Sequence, residues 1–211
     1  MSYDAVIVGA GPAGIFAAME LVRHDRKVLI LDKGKVIRER RCPIVEGRSS
    51  VCVNCESCSI VSGWGGAGSA SDGKLTLTTG FGGNLEENIG EEALLDMIAY
   101  VDKTFVEYGA DNNSYEPSGA VVKDTIRKAS SVGLKILPAR IRHIGTDASR
   151  EVLNNMYEDL LQKCDILMNT FVEDIIVESG RAVGIRLADG TERRGEYVIA
   201  APGREAAAWL A

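Results

Sequence analysis

Tyr3 to Val8 is a short apolar run that predicts a buried strand. It passes directly into Gly9-Ala10-Gly11-Pro12-Ala13-Gly14 and then into a segment of helical apolar spacing that ends near His24. Lys27-Val-Leu-Ile-Leu31 predicts a second buried strand, closed by Asp32. Leu75-Thr-Leu-Thr78 is strand-like, and Ala93, Leu94, Met97, Ile98, Val101 and Phe105 predict one helix within residues 86–108. Val121 to Val132 predicts another helix, and Leu134 to Leu137 a short strand before Pro138. Ser149 is placed to cap a helix to about Lys163, with Val152, Met156, Leu160 and Leu161 on its buried side. Asp165 to Met168 predicts a strand. Phe171 to Val177, Arg181 to Leu187 and Thr191 to Ala200 then alternate between Ser179-Gly180 and Asp189-Gly190 turns, which predicts a β-meander. Its last strand runs into the glycine turn Ala201-Pro-Gly-Arg204.

Strand, G-x-G-x-x-G, helix, strand and terminal acid in that order predict a dinucleotide site. Gly9 allows the sharp turn out of the strand, Gly11 lets backbone N–H groups approach a pyrophosphate, and Gly14 lets the helix pack on the sheet. Pro12 suits a first helical turn, where an N–H is not needed, and Ala10, Pro12 and Ala13 are expected with the glycines in the cofactor-binding loop. Asp32 lies at the distance expected for accepting a ribose hydroxyl, and it suits FAD and NAD equally. Lys33 and Arg41 bound a basic run that is either a solvated edge or an anion contact beside the cofactor. Ala5 to Val22 is apolar enough to resemble a leader or membrane span. Its glycines, its proline and the preceding Asp4 argue instead for core, with no membrane span and a cytoplasmic location.

Composition adds exclusions. The chain has 211 residues, 45% of them hydrophobic and 26% charged, enough for one domain with a sizeable core or a domain plus a small subdomain. A formal charge of −6 argues against a nucleic-acid surface. Four of the five cysteines (Cys42, Cys52, Cys55 and Cys58) follow C-P-x8-C-x2-C-x2-C, a spacing that suits a [4Fe–4S] cluster, a structural zinc, or reduced or redox-active thiols. Cys164 falls in a helical pattern as a small buried residue. The glycine-dense segment Ser62 to Lys74 carries Gly66, Ala67 and Gly68 and predicts a loop held against a cofactor. Trp64 in its middle argues against a merely flexible loop. Lys74 is a candidate positive charge near a cofactor ring or phosphate, and His143, in the predicted loop Arg140 to Asp147, a candidate contact to substrate or cofactor; these two are the catalytic candidates.

Taken together, RCP, CVNCESC, SGWGGAGSASDGKL, RHIGTD and APGR resemble the family of uncharacterised FAD-dependent dehydrogenases, within the two-dinucleotide-binding-domain flavoproteins. The resemblance spans essentially the whole chain, and GGAG with SDGKL is its most specific part. Ala70 and Pro202 depart from the family pattern. What the resemblance implies is an α/β fold: a Rossmann-like FAD-binding domain of glutathione-reductase type, with a β-meander and a Cys/Gly-rich insert. The nucleotide-binding core would be residues 1–39 and 149–211, the Cys/Gly-rich insert 40–80 and a largely helical insert 81–148. Gly9, Gly11 and Gly14 would meet the FAD pyrophosphate, Asp32 the adenosine ribose, Val172 the adenine through its backbone, and Ala201 and Gly203 the cofactor at the returning turn. A later strand and helix with a Gly-Asp pair would close such a site; none precedes Ala211, so a chain truncated at its C-terminus is expected. The implied activity is a flavin-dependent oxidoreductase taking electrons from a small-molecule donor, NAD(P)H among the candidates. The alternatives are a redox-sensing FAD module and a zinc-stabilised domain with an NAD-type ligand.

Overall fold

The computed structural model describes residues 2–203 and 206–210; Arg204 of the last glycine turn lies outside them. In chain order the elements are β1 (Ser2–Val8), α1 (Pro12–Arg23), β2 (Val28–Leu31), β3 (Lys74–Thr76), α2 (Glu86–Ile89), α3 (Glu91–Glu107), α4 (Gly119–Ser131), β4 (Ile141–His143), α5 (Thr146–Leu161), β5 (Asp165–Leu167), β6 (Val172–Glu178), β7 (Arg181–Leu187), β8 (Glu192–Ala200) and α6 (Ala207–Leu210). Residues 1–71 and 153–211 form one compact unit, and residues 72–152 a second.

The first unit is an α/β, Rossmann-like fold on a six-stranded sheet of order β5-β2-β1-β8-β7-β6. β5, β2, β1 and β8 run parallel, and β6, β7 and β8 form the antiparallel meander. Central parallel strands are covered on both faces, which is why β1 and β2 read as continuous apolar runs. Val6, Ile7, Leu29, Ile30 and Leu31 are fully buried. Val6, Val8, Leu29 and Leu31 join Val172, Ile185 and Leu187 of the meander in one core cluster, with Tyr3, Leu167, Val198 and Trp209 packed against it. Each such side chain contributes about 1.5–3 kcal/mol on burial. Register places Val8 opposite both Leu31 and Ala200, so β1, β2 and β8 end at one edge. The loops that leave that edge begin at Gly9, Asp32 and Ala201, the position where open parallel sheets bind ligands.

The second unit departs from the sequence expectations in four places. Gly90, at φ +85°, divides the single helix expected at 86–108 into α2 and α3. The segment expected as a loop at 140–147 contributes β4, which pairs antiparallel with β3. Leu134 to Leu137 is not a strand. Gly133, at φ +76°, ends α4 by sending its N–H to Ser130 while Leu134 sends its own to Ala129, and this C-cap takes up the leucine that periodicity gave to a strand. Ser149 lies inside α5, buried, with its N–H on the Gly145 carbonyl, so the cap position falls one turn earlier. Arg142 and Asp102 form a bidentate pair in this unit, at 2.5 Å (Nε to Oδ1) and 2.8 Å (Nη2 to Oδ2).

Candidate functional site

A cavity of about 860 Å³ opens at the sheet edge of the first unit, inside the range of small-molecule and cofactor sites. Four glycines in and beside it separate into two kinds. A Cβ on Gly9 would stand 2.1 Å from the Ala201 carbonyl oxygen, and one on Gly14 1.9 Å from the Gly9 oxygen, so the protein's own packing demands both. Gly11 is different. Its φ of −76° is open to any residue, and the nearest atom to a Cβ there is Gly66 Cα at 3.9 Å. Gly68 has no atom within 4 Å of its would-be Cβ. Both line the cavity, and among the described residues no atom lies close enough to demand glycine at either.

Gly11 is also the N-cap of α1. No side chain caps this helix end and no acid lies in its first turn. The N–H groups of Ala13 and Gly14 have no acceptor within the helix, and the helix dipole adds roughly half a positive charge at the same end. An anion is the natural occupant. Gly9, Gly11, Pro12 and Ala13 line the cavity, whereas Gly14 and the fully buried Ala10 lie behind it.

Asp32 lines the cavity and does more than expected. Its carboxylate accepts the N–H groups of Ala10 (2.8 Å), Gly34 (2.7 Å) and Gly63 (2.8 Å), tying the loop after β1, its own loop and the glycine-rich loop together. A carboxylate offers about four lone-pair directions, so one is left for a ribose hydroxyl. Lys33, half-buried, lines the cavity beside it.

Gly66, Ala67 and Gly68 form a short 3-10 turn (Gly66–Ala70) in the cavity wall. Two residues anchor it. Trp64 is fully buried, donates its indole N–H to the Leu153 carbonyl at 2.7 Å and meets Tyr157 edge-on at 5.0 Å. Arg40 donates to four backbone carbonyls, those of Ser59, Ile60, Trp64 and Gly66, at 2.8–2.9 Å. Sequence reasoning singled out Arg41 instead, which is exposed and paired with Glu46 at 3.1 Å, outside the cavity lining. Two adjacent arginines differ in no local pattern, so only tertiary structure tells the buried one from the solvated one. The hydrogen bonds of Arg41 and Arg48 hold the Glu46 carboxyl below its ordinary range.

Ala201, Pro202 and Gly203 (φ +73°) complete the glycine side of the cavity, and Val172, Phe171 and Trp209 its aromatic end. Trp209 donates its indole N–H to the Val172 carbonyl at 2.8 Å. One acceptor direction of the backbone group expected at adenine is therefore already used. Lys74 and His143 belong to the second unit and stand opposite each other across β3 and β4. Neither lines this cavity, and Lys74 is ion-paired with Asp72.

The four clustered cysteines are not gathered into a metal site among the described residues. All five thiols are free; Cys52 and Cys55 are exposed, and Cys42 and Cys58 half-buried. Among the described residues, no three His, Cys, Asp or Glu side chains are grouped to hold a metal. Their segment is turns and bends closed by local bonds, such as Glu46 N–H to the Cys42 carbonyl and Ser62 N–H to the Cys58 carbonyl. As placed, the described thiols are not gathered round one centre. Cys164 is half-buried, with Sγ 3.3 Å from the Leu160 carbonyl, and burial, aided by Asp165 and Asp159, pushes its thiol up to about 12.

Residues 7–40 match the sequence profile of the NAD(P)-binding Rossmann-like domain. The chain is 42% identical over 71 residues to an uncharacterised protein of Clostridium beijerinckii, across 34% of this chain and 13% of that protein. Among solved structures it resembles glycine oxidase from Geobacillus kaustophilus (TM-score 0.54, 18% identity, 98% of this chain and 56% of that one). It also resembles 3-ketosteroid-Δ4-(5α)-dehydrogenase from Rhodococcus jostii RHA1 (TM-score 0.55, 19% identity, 94% and 45%). At these identities the likeness is one of fold. The chain spans about half the length of those two proteins and a smaller part of the Clostridium protein. Among the described residues, no helix is long and apolar enough to cross a membrane.

Proposed function

We propose that the first unit holds the diphosphate of FAD at the N-terminus of α1 and that the protein is a flavin-dependent oxidoreductase. The observation that carries this reading is Gly11 together with Gly68: two cavity-lining glycines with ordinary room around them among the described residues, whose missing side chains leave space for a ligand. The uncapped, acid-free helix start supplies the complementary charge. The sequence resemblance to FAD-dependent dehydrogenases supports flavin over nicotinamide as the resident group.

Each residue then has a physical task. The N–H groups of Ala13 and Gly14 neutralise diphosphate charge, and Gly11 allows its close approach. Asp32 fixes three loops and offers its remaining lone pair to ribose. Arg40 and Trp64 hold the Gly66–Gly68 wall rigid. Bound flavin supplies two-electron and one-electron transfer chemistry, for which the protein provides position and electrostatics. A small-molecule reductant such as NAD(P)H is the donor class proposed here. Absorbance of the purified protein tests the proposal, with FAD titration of apoprotein where flavin is lost in preparation. Saturable FAD binding with flavin absorbance supports it. Tight binding of NAD(H) with no affinity for FAD overturns the flavin assignment and leaves the dinucleotide site standing.

A further inference from the structure

The second unit carries a cavity of its own, about 370 Å³, to which nothing above assigns a role. One wall is apolar: Leu95, Ile98, Ala99 and Val106 of α3, with Leu77. Positions 95, 98 and 99 are spaced i, i+3 and i+4, so they share one helix face. Leu95 is 46% exposed, so this wall is open to a ligand. The polar wall holds Asp102, Lys103, Arg140 and Arg142, a formal excess of two positive charges.

These charges are not equally available. Arg142 and Asp102 satisfy each other, and Arg142 Nη1 also donates to the Asp111 and Asn113 carbonyls. Lys103 stands 3.5 Å from Glu107. Arg140 donates Nε to the Ser114 hydroxyl at 3.1 Å, which fixes the plane of its guanidinium, while its two outer nitrogens have no partner among the described residues. An oriented guanidinium with a free outer pair beside an apolar wall matches a carboxylate bidentately. The volume suits a compact molecule and is well under what a dinucleotide fills.

We propose that this cavity binds a small organic carboxylate, its apolar body along Leu95, Ile98 and Val106 and its carboxylate on Arg140. The proposal is independent of the flavin assignment. The test is ligand-observed NMR titration of the full chain with benzoate, its neutral isostere benzamide, and acetate, which lacks the apolar body. Benzoate is expected to bind near about 1 mM and both controls about tenfold or more weaker. Arg140→Gln and, separately, Leu95→Asn should each weaken benzoate by about tenfold, with far-UV circular dichroism and thermal midpoint unchanged because both side chains are exposed. Benzamide binding as well as benzoate, benzoate binding unaffected by Arg140→Gln, or no benzoate binding at all would each overturn the proposal.

Discussion

Replacing Gly11 with alanine separates what the fold needs from what a ligand needs. The backbone at Gly11 is extended (φ −76°, ψ −179°) and a Cβ there lies 3.9 Å from its nearest neighbour, so alanine fits without strain. Two small effects on stability oppose each other. Alanine is a poorer N-cap than glycine by up to about 1 kcal/mol, and it restricts the unfolded chain by about 0.4–1 kcal/mol. The net change should stay within about 0.5 kcal/mol. Gly14→Ala is the contrasting substitution, because its Cβ would fall 1.9 Å from the Gly9 carbonyl oxygen, a backbone atom. Such overpacking costs about 1–3 kcal/mol or more, a fall of roughly 3–10 °C in thermal midpoint for a chain of this size. Binding should show the reverse contrast. The Gly11→Ala methyl displaces the diphosphate from the helix N–H groups, and losing one charge-assisted hydrogen bond is worth about 1.5–3 kcal/mol. Calorimetric titration with FAD or ADP should therefore show Kd raised by about tenfold or more on a protein of unaltered midpoint. A Gly11→Ala protein that binds as well as the parent would refute the reasoning, and so would one that fails to fold.

Further outcomes follow from the loops around the cavity. Asp32→Asn turns one carboxylate oxygen into a donor facing backbone N–H groups; it should cost about 2–4 kcal/mol of stability in chemical denaturation and weaken nucleotide binding with it. Arg40→Met leaves four carbonyls without their donor, and limited proteolysis should then cut within residues 59–66, where the parent resists. In a Trp64→Phe protein Trp209 is the sole indole, and because it lines the cavity its emission should be quenched by FAD or ADP in a saturable way. Thiol titration at pH 8 without chelator should count four fast cysteines, leaving Cys164 unreactive because its thiol is held protonated. The sign of that shift also sets a pH dependence. The folded state keeps a proton that the unfolded thiol releases near about pH 8.5, so the Cys164 contribution is complete below that pH and is lost as pH rises toward about 12. A Cys164→Ala protein should lose less stability between those limits than the parent.

Much of the first unit is legible in the sequence because its signals are local. A parallel strand buried on both faces must be apolar, so Ala5 to Val8 and Val28 to Leu31 stand out; Gly14 is demanded by a backbone approach within the same β-turn-α unit and Gly9 by its turn at φ +109°, although the Ala201 carbonyl that also excludes a Cβ there is distant in sequence. The meander is visible because its Ser179-Gly180 and Asp189-Gly190 turns interrupt strict alternation. What stays hidden depends on long-range partners. Nothing local distinguishes Arg40 from Arg41, yet the first reaches carbonyls up to 26 residues away. Gly34 needs to be glycine because the Gly63 nitrogen would lie 2.4 Å from its Cβ, a contact across 29 residues. Asp32 signals a ribose contact by position, and its clamp on Gly63 emerges only once the glycine-rich loop is folded beside it. In the second unit Leu134 to Leu137 has strand-like composition but a helix cap claims its start, and the C-x2-C spacing of the cysteines carries no information on whether the loop turns inward.

The most direct measurement of the central claim is a crystal structure of the chain with FAD or ADP bound. The account predicts the diphosphate within hydrogen-bonding distance of the Ala13 and Gly14 N–H groups, passing over Gly11, with the ribose on the free lone pair of Asp32. Nucleotide ordered elsewhere on the protein, or a diphosphate held by side chains away from the start of α1, would contradict it.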